Sequence, residues 1–395
     1  MDFDLTEEQE RFRQQIRDFL NREVTDEVIA ESEAGLGYGA HSWALMRKLG
    51  ARGWLAPTFP REYGGLGLPS TYRFIVAEEL DYRNALSYIK GFGIVAVDMV
   101  GPSILRYGSE ELKREFLPRI AGGEIDFALG YTEPNAGSDL SGISIRAVED
   151  GDHFMINGQK TFNTGCHWSQ YHWLAARTDP AAPLHKGISM IIVDLKKPGI
   201  TISPLWEMSG TRTNEVFYDD VRVPRKNLVG EKNRGWYYMV SALDLERVIS
   251  SHFRRTLEAL VDYCGKTVKG GSSLSETPWV RGRIADIAIE VNVARNLVRQ
   301  VVGMKERGKV PNYESAVLKV FVTELFQRIV DRAMEVLGLE ALLTCDSKHC
   351  VLGGKMERIF RESIFHTIGG GTSEMMRNII ARRGLGLPEK EDAAA

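Results

Sequence analysis

The change of hydrophobic periodicity along the chain constrains the fold more than any other feature of the sequence. Up to about residue 123, apolar residues recur at helical spacing, and the first helix begins at a capping box formed by Thr6 and Gln9. Short stretches of β-branched and aromatic residues bounded by Gly, Pro and Asp follow, and helical spacing then returns. This order predicts an α+β protein with an N-terminal helical domain (1–123), a middle antiparallel β domain (124–232) and a C-terminal helical domain (233–395).

Charge and composition exclude several classes of partner. The 50 Lys and Arg residues nearly balance the 53 Asp and Glu residues, so no overall field attracts nucleic acid or an anionic membrane. The first ten residues, MDFDLTEEQE, lack the layout of a signal peptide, and no apolar stretch has the length of a membrane span. The four cysteines lack the spacing of metal ligands. We therefore expect a cytoplasmic protein without a metal site, a membrane span or a nucleic-acid partner.

Two polar stretches around the start of the β region are candidates for a ligand site. In YTEPNAGSDLSG, residues 131–142, small polar side chains such as Thr132 and Ser138 could bind the polar edge of a cofactor, or the stretch is an ordinary loop. Asp150-Gly151 and Asn157-Gly158 predict two hairpin turns separated by a short strand, and in GQKTFNTG, residues 158–165, we expect a strand that follows the second turn. Phe162 and Thr164 would then share one face and could meet a flat ring, or fill the sheet.

A carboxylate interrupts an apolar helical face in WYYMVSALDLERVIS. Positions 236, 239, 243, 246 and 250 share this face and carry Trp, Met, Leu, Glu and Ser. Desolvation raises the pKa of a carboxylate toward neutral pH, where the group can act as a general base. Glu246 is therefore a candidate base, and the alternative is that it pairs with Arg247 on a partly wet face.

Asp98 and the glycine loop raise related questions. Asp98 is a single acid in the apolar stretch IVAVDMVGPSIL, so it must find a partner, cap a helix or face a cavity, and a structural role is favoured. The loop FHTIGGGTSEMMRN, residues 365–378, lacks the spacing of a phosphate-binding loop. Its three consecutive glycines leave backbone groups open to a ligand other than a phosphate.

Taken in order, four stretches resemble motifs of the acyl-CoA dehydrogenase flavoprotein family, and the resemblance covers nearly the whole chain. The stretches are YTEPNAGSDLSG, INGQKTFNTG, VFYDDVRVPRKNLVG and GGGTSEMMRNIIARRGLG. The resemblance implies an N-terminal helical domain, a middle β barrel and a C-terminal four-helix bundle that assemble as a dimer of dimers. It also implies FAD as cofactor, acyl-CoA as substrate and an electron-transfer flavoprotein as partner.

The family's reaction is α,β-desaturation of an acyl-CoA thioester, in which a Glu removes the α proton and the β hydrogen leaves as hydride to the flavin. By resemblance, Tyr131, Thr132 and Thr164 contact the flavin ring, and Phe162 lies against it. Ser138 binds on the flavin or pantetheine side. Thr372 is also assigned to cofactor binding.

The usual catalytic Glu of the family is absent from the C-terminal loop. Gly370 occupies its position, and Gly369 replaces the Tyr before it. A branch that includes isovaleryl-CoA dehydrogenase places the base on a helix after the β domain, in a Glu-Arg pair that LDLER matches. The resemblance therefore assigns the base to Glu246 and places Arg247 near the CoA.

The vacated loop would line the acyl group, so its lack of side chains could admit a branched, cyclic or aromatic acyl chain. The backbone N–H of Gly370 would polarise the thioester carbonyl, as donors of an oxyanion hole do. If the acyl group is a ring, Asp98 could act as a second base at a more distant carbon.

Two motifs that a neighbouring subunit of the family offers to the adenosine half of FAD are altered here. The altered positions are Thr267, Gly270, Glu335, Gly338 and Leu339. Either this chain binds that half differently, or a related polypeptide supplies it, so both a homotetramer and a heterotetramer remain open. A non-catalytic partner subunit and a different flavin reaction, such as desulfination or oxidation by oxygen, are the competing functions.

Overall fold

The computed structural model describes residues 4–34, 37–86, 94–243 and 250–388, and the chain divides into two compact units. The first unit comprises Arg11–Leu80 and Asn84–Glu246, and the second comprises Met1–Glu10, Asp81–Arg83 and Arg247–Ala395. The N-terminal helices and the sheet thus fall in one unit, and the three-domain boundaries expected from the sequence stay a prediction. The segment with Glu246 and Arg247 lies outside the described residues.

Helices precede the sheet, as the periodicity predicts. They are α1 (Glu7–Glu23), α2 (Asp26–Ala34), α3 (Ala40–Gly50), α4 (Ser70–Tyr82), α5 (Gly101–Tyr107) and α6 (Glu110–Ala121), and α7 (Gly235–Leu243) follows the sheet. The capping box is confirmed, because the N–H of Gln9 donates to Thr6 Oγ1 at 3.2 Å and the N–H of Thr6 donates to Gln9 Oε1 at 3.0 Å. A π-helical turn, Ala96–Val100, leads directly into α5.

The strands of the middle region form one sheet. They are β1 (Phe127–Gly130), β2 (Arg146–Asp150), β3 (His153–Lys160), β4 (Tyr171–Arg177), β5 (Ile188–Asp194), β6 (Ile200–Trp206), β7 (Arg212–Pro224) and β8 (Leu228–Val229). Their order is β6-β7-β3-β2-β4-β5-β8, with β1 beside β4. The pairings are mainly antiparallel, as predicted, although β4 pairs in parallel with β1 and β2. Within the described part of the chain, β6 and β8 do not pair, so closure into a barrel is not confirmed.

The predicted hairpin turn at Asn157-Gly158 is wrong. This dipeptide lies inside β3, where the register with β7 shifts between Ile156 and Gly158, as in a β-bulge. Gly158 has a φ of +141°, and a Cβ there would lie 2.8 Å from Cγ1 of Ile145. The glycine therefore serves a close approach within the sheet. The other predicted hairpin turn, at Asp150-Gly151, is confirmed, because Gly151 lies in the turn between β2 and β3.

The described helices of the second unit share a hydrophobic core. Its elements are α8 (Ser251–Lys266), β9 (Val268–Lys269), β10 (Ser272–Ser273), α9 (Pro278–Glu306), α10 (Tyr313–Leu337), α11 (Lys355–His366) and α12 (Ser373–Ile379). Helices α8, α9, α10 and α11 all contribute buried side chains to this core, including Phe253, Ile287, Phe326 and Met356. In the first unit, buried aliphatic and aromatic side chains of the sheet form a separate core.

Two expected absences can be examined over the described residues. None of their helices combines the length and the hydropathy that a bilayer crossing requires. Nor do they contain a group of three or more His, Cys, Asp or Glu residues that could hold a metal ion.

Candidate active site

A buried ion pair joins the two polar stretches that the sequence singled out. Lys160, at the end of β3, is fully buried and donates to Glu133 Oε1 at 2.9 Å and to the carbonyl of Tyr131 at 2.8 Å. Glu133 also accepts hydrogen bonds from the N–H groups of Ser144 and Ile145. The stretch at residues 131–142 and the stretch at residues 158–165 are therefore held side by side.

The pKa values of this pair follow from its burial. Burial lowers the pKa of Lys160 to about 8, against the opposing effect of the Glu133 carboxylate. Burial opposes ionisation of Glu133 as well, but the Lys160 charge and the donors around the carboxylate lower its pKa overall. Both groups are charged at neutral pH. This pair was not predicted from the sequence, although an acid and a lysine inside the two motifs were the available signal.

The strand predicted over residues 158–165 ends early. The last residue of β3 is Lys160, because the next N–H, that of Thr161, donates to the carbonyl of Thr132 at 3.0 Å. Phe162 then takes a left-handed conformation with a φ of +54°. The expectation that Phe162 and Thr164 share a strand face is therefore wrong, since the backbone turns between them and the N–H of Thr164 donates to the carbonyl of Phe162.

Phe162 is an exposed aromatic ring on a constrained backbone. Its exposed fraction is 62%, and the left-handed conformation costs a non-glycine residue about 1–2 kcal/mol. A strained, exposed aromatic residue suggests a ligand contact, because neither burial nor backbone preference explains it. Beside it, the hydroxyl of Thr164 donates to Thr213 Oγ1 at 3.0 Å.

The loop after Tyr131 is organised by short polar contacts. Tyr131 is buried, whereas Ser138 is exposed near the tip of the loop. Asp139 accepts hydrogen bonds from the N–H and the hydroxyl of Ser141. Arg177 of β4 donates to the carbonyls of Ser141 and Ile143 at 2.8 and 2.9 Å, so the return of the loop into the sheet is fixed.

A neutral histidine lies in the sheet near this ion pair. His172 of β4 is fully buried, and its Nδ1 shares a hydrogen bond with the hydroxyl of Tyr218. Burial, assisted by the Lys160 charge, lowers the pKa of His172 to about 3. Gly130 faces this ring, because a Cβ at Gly130 would lie 2.6 Å from it.

Asp98 forms an ion pair with Arg73. It lies in the π-helical turn and accepts two hydrogen bonds from Arg73, at 2.7 and 2.6 Å, and a third from the N–H of Ile94. Nearby, burial raises the pKa of Asp126 to about 6, and the Asp98 charge adds to this effect. The ion pair gives Asp98 a structural role, and its catalytic role stays a prediction.

The candidate base falls between described helices. Helix α7 is described over Gly235–Leu243 and α8 over Ser251–Lys266, and Met239, a member of the apolar face expected around Glu246, is fully buried. In the second unit, Asp81 accepts from the N–H and Nδ1 of His252, at 2.8 and 3.0 Å, near the start of α8. The roles of Glu246 and Arg247 stay predictions.

The glycine loop presents bare backbone. Gly370 and Gly371 have φ values of +66° and +91°, and within the described part of the chain their N–H groups donate no backbone hydrogen bond. A Cβ at Gly369 would lie 2.6 Å from the ring of Phe365. Thr372 is the N-cap of α12, since its Oγ1 accepts from the N–H of Met375 at 3.2 Å.

The positions of the two altered motifs lie beside each other in the second unit. Lys269 Nζ lies 3.8 Å from Glu340 Oε2, which brings the turn containing Gly270 next to the segment after α10. Leu339 in that segment is 81% exposed. Glu335 is occupied by a 2.7 Å ion pair with Arg283.

In the first unit, the exposed ring of Phe162, two residues before Thr164 in the chain, is a suitable surface for a flat ring such as a flavin. In the second unit, the N–H groups of Gly370 and Gly371, which donate no backbone hydrogen bond within the described residues, are suitable donors to a carbonyl that gains negative charge. Each of these sets of groups suits a flavoprotein oxidoreductase. Family models described as the N-terminal, middle and C-terminal domains of acyl-CoA dehydrogenase match residues 6–124, 128–221 and 233–385. The chain belongs to the acyl-CoA dehydrogenase family, whose members are oxidoreductases acting on CH–CH groups.

Similar proteins extend over the whole chain. Acyl-CoA dehydrogenase FadE26 of Mycobacterium tuberculosis is 35% identical over an alignment of 397 positions that covers 97% of this chain and 98% of the relative. The ChsE4-ChsE5 complex of the same organism contains a chain with a TM-score of 0.89 and 34% identity, covering 98% of this chain and 100% of that one. The "Tcur3481-Tcur3483 steroid ACAD" gives a TM-score of 0.88 and 32% identity, covering 99% and 100%.

Proposed function

We propose that this protein is an FAD-dependent dehydrogenase that introduces a double bond between the α and β carbons of an acyl-CoA thioester. One observation carries the proposal: the first two family motifs meet in space, joined by the pair of Lys160 with Glu133, and leave the ring of Phe162 exposed beside Thr164. The end-to-end family match gives this grouping its interpretation.

The cofactor would be held by groups of the first unit. Phe162 would lie against the flavin ring, the Tyr131 and Thr132 backbone and the Thr164 hydroxyl would contact its polar edge, and Ser138 would bind on the flavin or pantetheine side. Thr372 is proposed as a further contact. When bound, FAD supplies the two-electron acceptor for the hydride that leaves the β carbon.

The proton chemistry belongs to the protein. Glu246 would remove the α proton, and Arg247 would neighbour the CoA. The N–H of Gly370, which donates no backbone hydrogen bond within the described residues, would donate to the thioester carbonyl as negative charge develops there. A donor in this position is worth about 3–4 kcal/mol in the barrier.

The lack of side chains at Gly369 and Gly370 favours a bulky acyl group, which we propose is branched, cyclic or aromatic. The similarity to a protein named a steroid ACAD supports a polycyclic acyl chain as one member of this class. With a ring as substrate, Asp98 could serve as a second base only if its ion pair with Arg73 opened.

A heteromeric assembly is the second candidate for how the site is completed. The altered motif positions form one region with the exposed Leu339, and a similar structure is a complex of two differently named chains. A related subunit would then supply the contacts to the adenosine half of FAD. An electron-transfer flavoprotein is the proposed acceptor of the electrons.

Replacement of Glu246 by Gln tests the assignment of the base. Glu246→Gln removes the proton acceptor but keeps the size of the side chain, so FAD should stay bound while bleaching of its absorbance by substrate slows by roughly 10²–10⁴-fold. Glu258→Gln, on the described helix α8, is the matched control and should bleach normally. Equal bleaching by Glu246→Gln and the unaltered protein would rule the base out.

A panel of thioesters identifies the substrate class. Straight-chain, branched, cyclohexyl, aromatic and steroid side-chain acyl-CoAs are mixed anaerobically with the protein and with any subunit that copurifies with it. Bleaching by the bulky members and not by the straight-chain ones supports the proposal. A colourless chain that gains FAD only with a second subunit supports the heteromer, and rapid reoxidation by oxygen supports an oxidase.

A further inference from the structure

The exposed ring of Phe162 has to be held in place without burial. Most aromatic side chains are fixed by packing, but at 62% exposure and a φ of +54° this one is not. Its conformation must therefore be imposed through the backbone of the residues on either side, Thr161 and Asn163.

The side chain of Asn163 fixes the backbone before Phe162. It is 1% exposed, and its Nδ2 donates to the carbonyl of Thr161 at 3.0 Å and to the carbonyl of Leu129 at 3.1 Å. Because both acceptors are carbonyls, the orientation of this amide is unambiguous. One buried side chain thus ties the residue before Phe162 to the end of β1.

Asn214 of β7 binds the peptide of Asn163 at two points. The carbonyl of Asn214 accepts from the N–H of Asn163 at 2.9 Å, and its Nδ2 donates back to the carbonyl of Asn163 at 2.9 Å. Asn214 is fully buried, and its own amide is oriented by a 3.0 Å hydrogen bond from Arg212 Nε to Oδ1. The backbone of the residue after Phe162 is therefore also held by hydrogen bonds to a buried asparagine.

We propose that Asn163 and Asn214 are positioning residues that hold the ring of Phe162 in the orientation that binds the flavin. The inference rests on the proposed function, because the flavin is the ligand that the ring would meet. Neither asparagine touches the cofactor. Each acts through the backbone of the turn, so its effect on FAD requires the Phe162 side chain.

A double-mutant cycle on FAD binding tests this dependence. The dissociation constant of FAD is measured for the unaltered protein, Asn214→Ala, Phe162→Ala and the double variant, each with any subunit that copurifies. Asn214→Ala should weaken FAD binding about tenfold when Phe162 is present and less than twofold when it is replaced. Asn163→Ala should behave in the same way.

A control variant is available in the same sheet. Asn157→Ala removes two hydrogen bonds with Asp220 at an exposed position of β3 and should leave FAD binding unchanged. Equal losses of affinity with and without Phe162, or no loss at all, overturn the proposal. If Asn214→Ala does not fold by circular dichroism, Asn214→Ser replaces it in the cycle.

The two proposals fail in different arms of the experiment. An unaltered protein, with its subunits, that binds no FAD contradicts the proposed function, and with it the positioning role. An unaltered protein that binds FAD and bleaches with substrate, together with additive losses in the cycle, contradicts the positioning role alone.

Discussion

The sheet region and the glycine loop would present groups to the proposed ligands by opposite means. Around Phe162, an exposed side chain stands on a backbone that the buried residues Asn163 and Asn214 hold by hydrogen bonds, next to the buried ion pair of Lys160 with Glu133. Around Gly370, the presented groups are backbone N–H donors, and the loop contains no side chain at three successive positions. The difference shows that a side-chain contact needs support from the core, whereas a backbone contact needs only a turn that glycine permits.

Breaking the buried ion pair should have the largest effect. Lys160→Met leaves the Glu133 carboxylate buried without its cation, which should lower the free energy of unfolding by about 3–5 kcal/mol. Urea unfolding followed by circular dichroism measures the change. The double variant Lys160→Met with Glu133→Gln should recover part of the loss. An unchanged unfolding midpoint in Lys160→Met would show that the pair does not support the sheet.

Acid should weaken the sheet region through His172. Its folded-state pKa is about 3, below its ordinary value of 6.5, so the stability it contributes is present above pH 6.5 and is lost as the pH falls toward 3. At pH 5 the loss amounts to about 2 kcal/mol. His172→Gln should flatten the decline in unfolding free energy between pH 7 and pH 5 by this amount. Parallel declines in the two proteins would contradict the buried, neutral state of His172.

In the glycine loop, the expected loss of unfolding free energy on substitution is smaller. Gly370→Ala should lower the free energy of unfolding by about 1–2 kcal/mol, because Ala resists a φ of +66°. Gly386→Ala, at a φ of +67° near the C-terminal end of the described chain, is the control for the backbone effect without the loop. With FAD bound, substrate bleaching should slow in Gly370→Ala and not in Gly386→Ala. Equal bleaching rates in the two variants would show that Gly370 has no part in the reaction.

The sequence predicted the elements whose signal is local. The capping box of Thr6 and Gln9 and the long helices α9 and α10 need only neighbouring residues, and they are confirmed. The motifs also led to the family, which the comparisons confirm.

The features that failed depend on partners distant in sequence. Asn157-Gly158 carries the signature of a hairpin turn, but it lies inside β3, where pairing with β7 continues across a shift of register. The strand through Phe162 ends because Thr161 bonds to Thr132, about 30 residues earlier, and no local periodicity reports such a bond. The buried pair of Lys160 and Glu133 joins residues 27 positions apart, so no local pattern predicts it.

The smallest expected effect is at Thr372, where a helix cap and a proposed cofactor contact coincide. Thr372→Ala should cost about 1 kcal/mol of unfolding free energy, because the N–H of Met375 loses its acceptor. Thr372→Ser keeps the hydroxyl and Thr372→Asn keeps only the cap, so both should be nearly as stable as the unaltered protein. FAD affinity then separates the two roles. If Asn weakens FAD binding while Ser does not, the hydroxyl contacts the cofactor. If affinity follows stability across all three variants, Thr372 serves the glycine loop as a cap alone, and the loop presents only backbone.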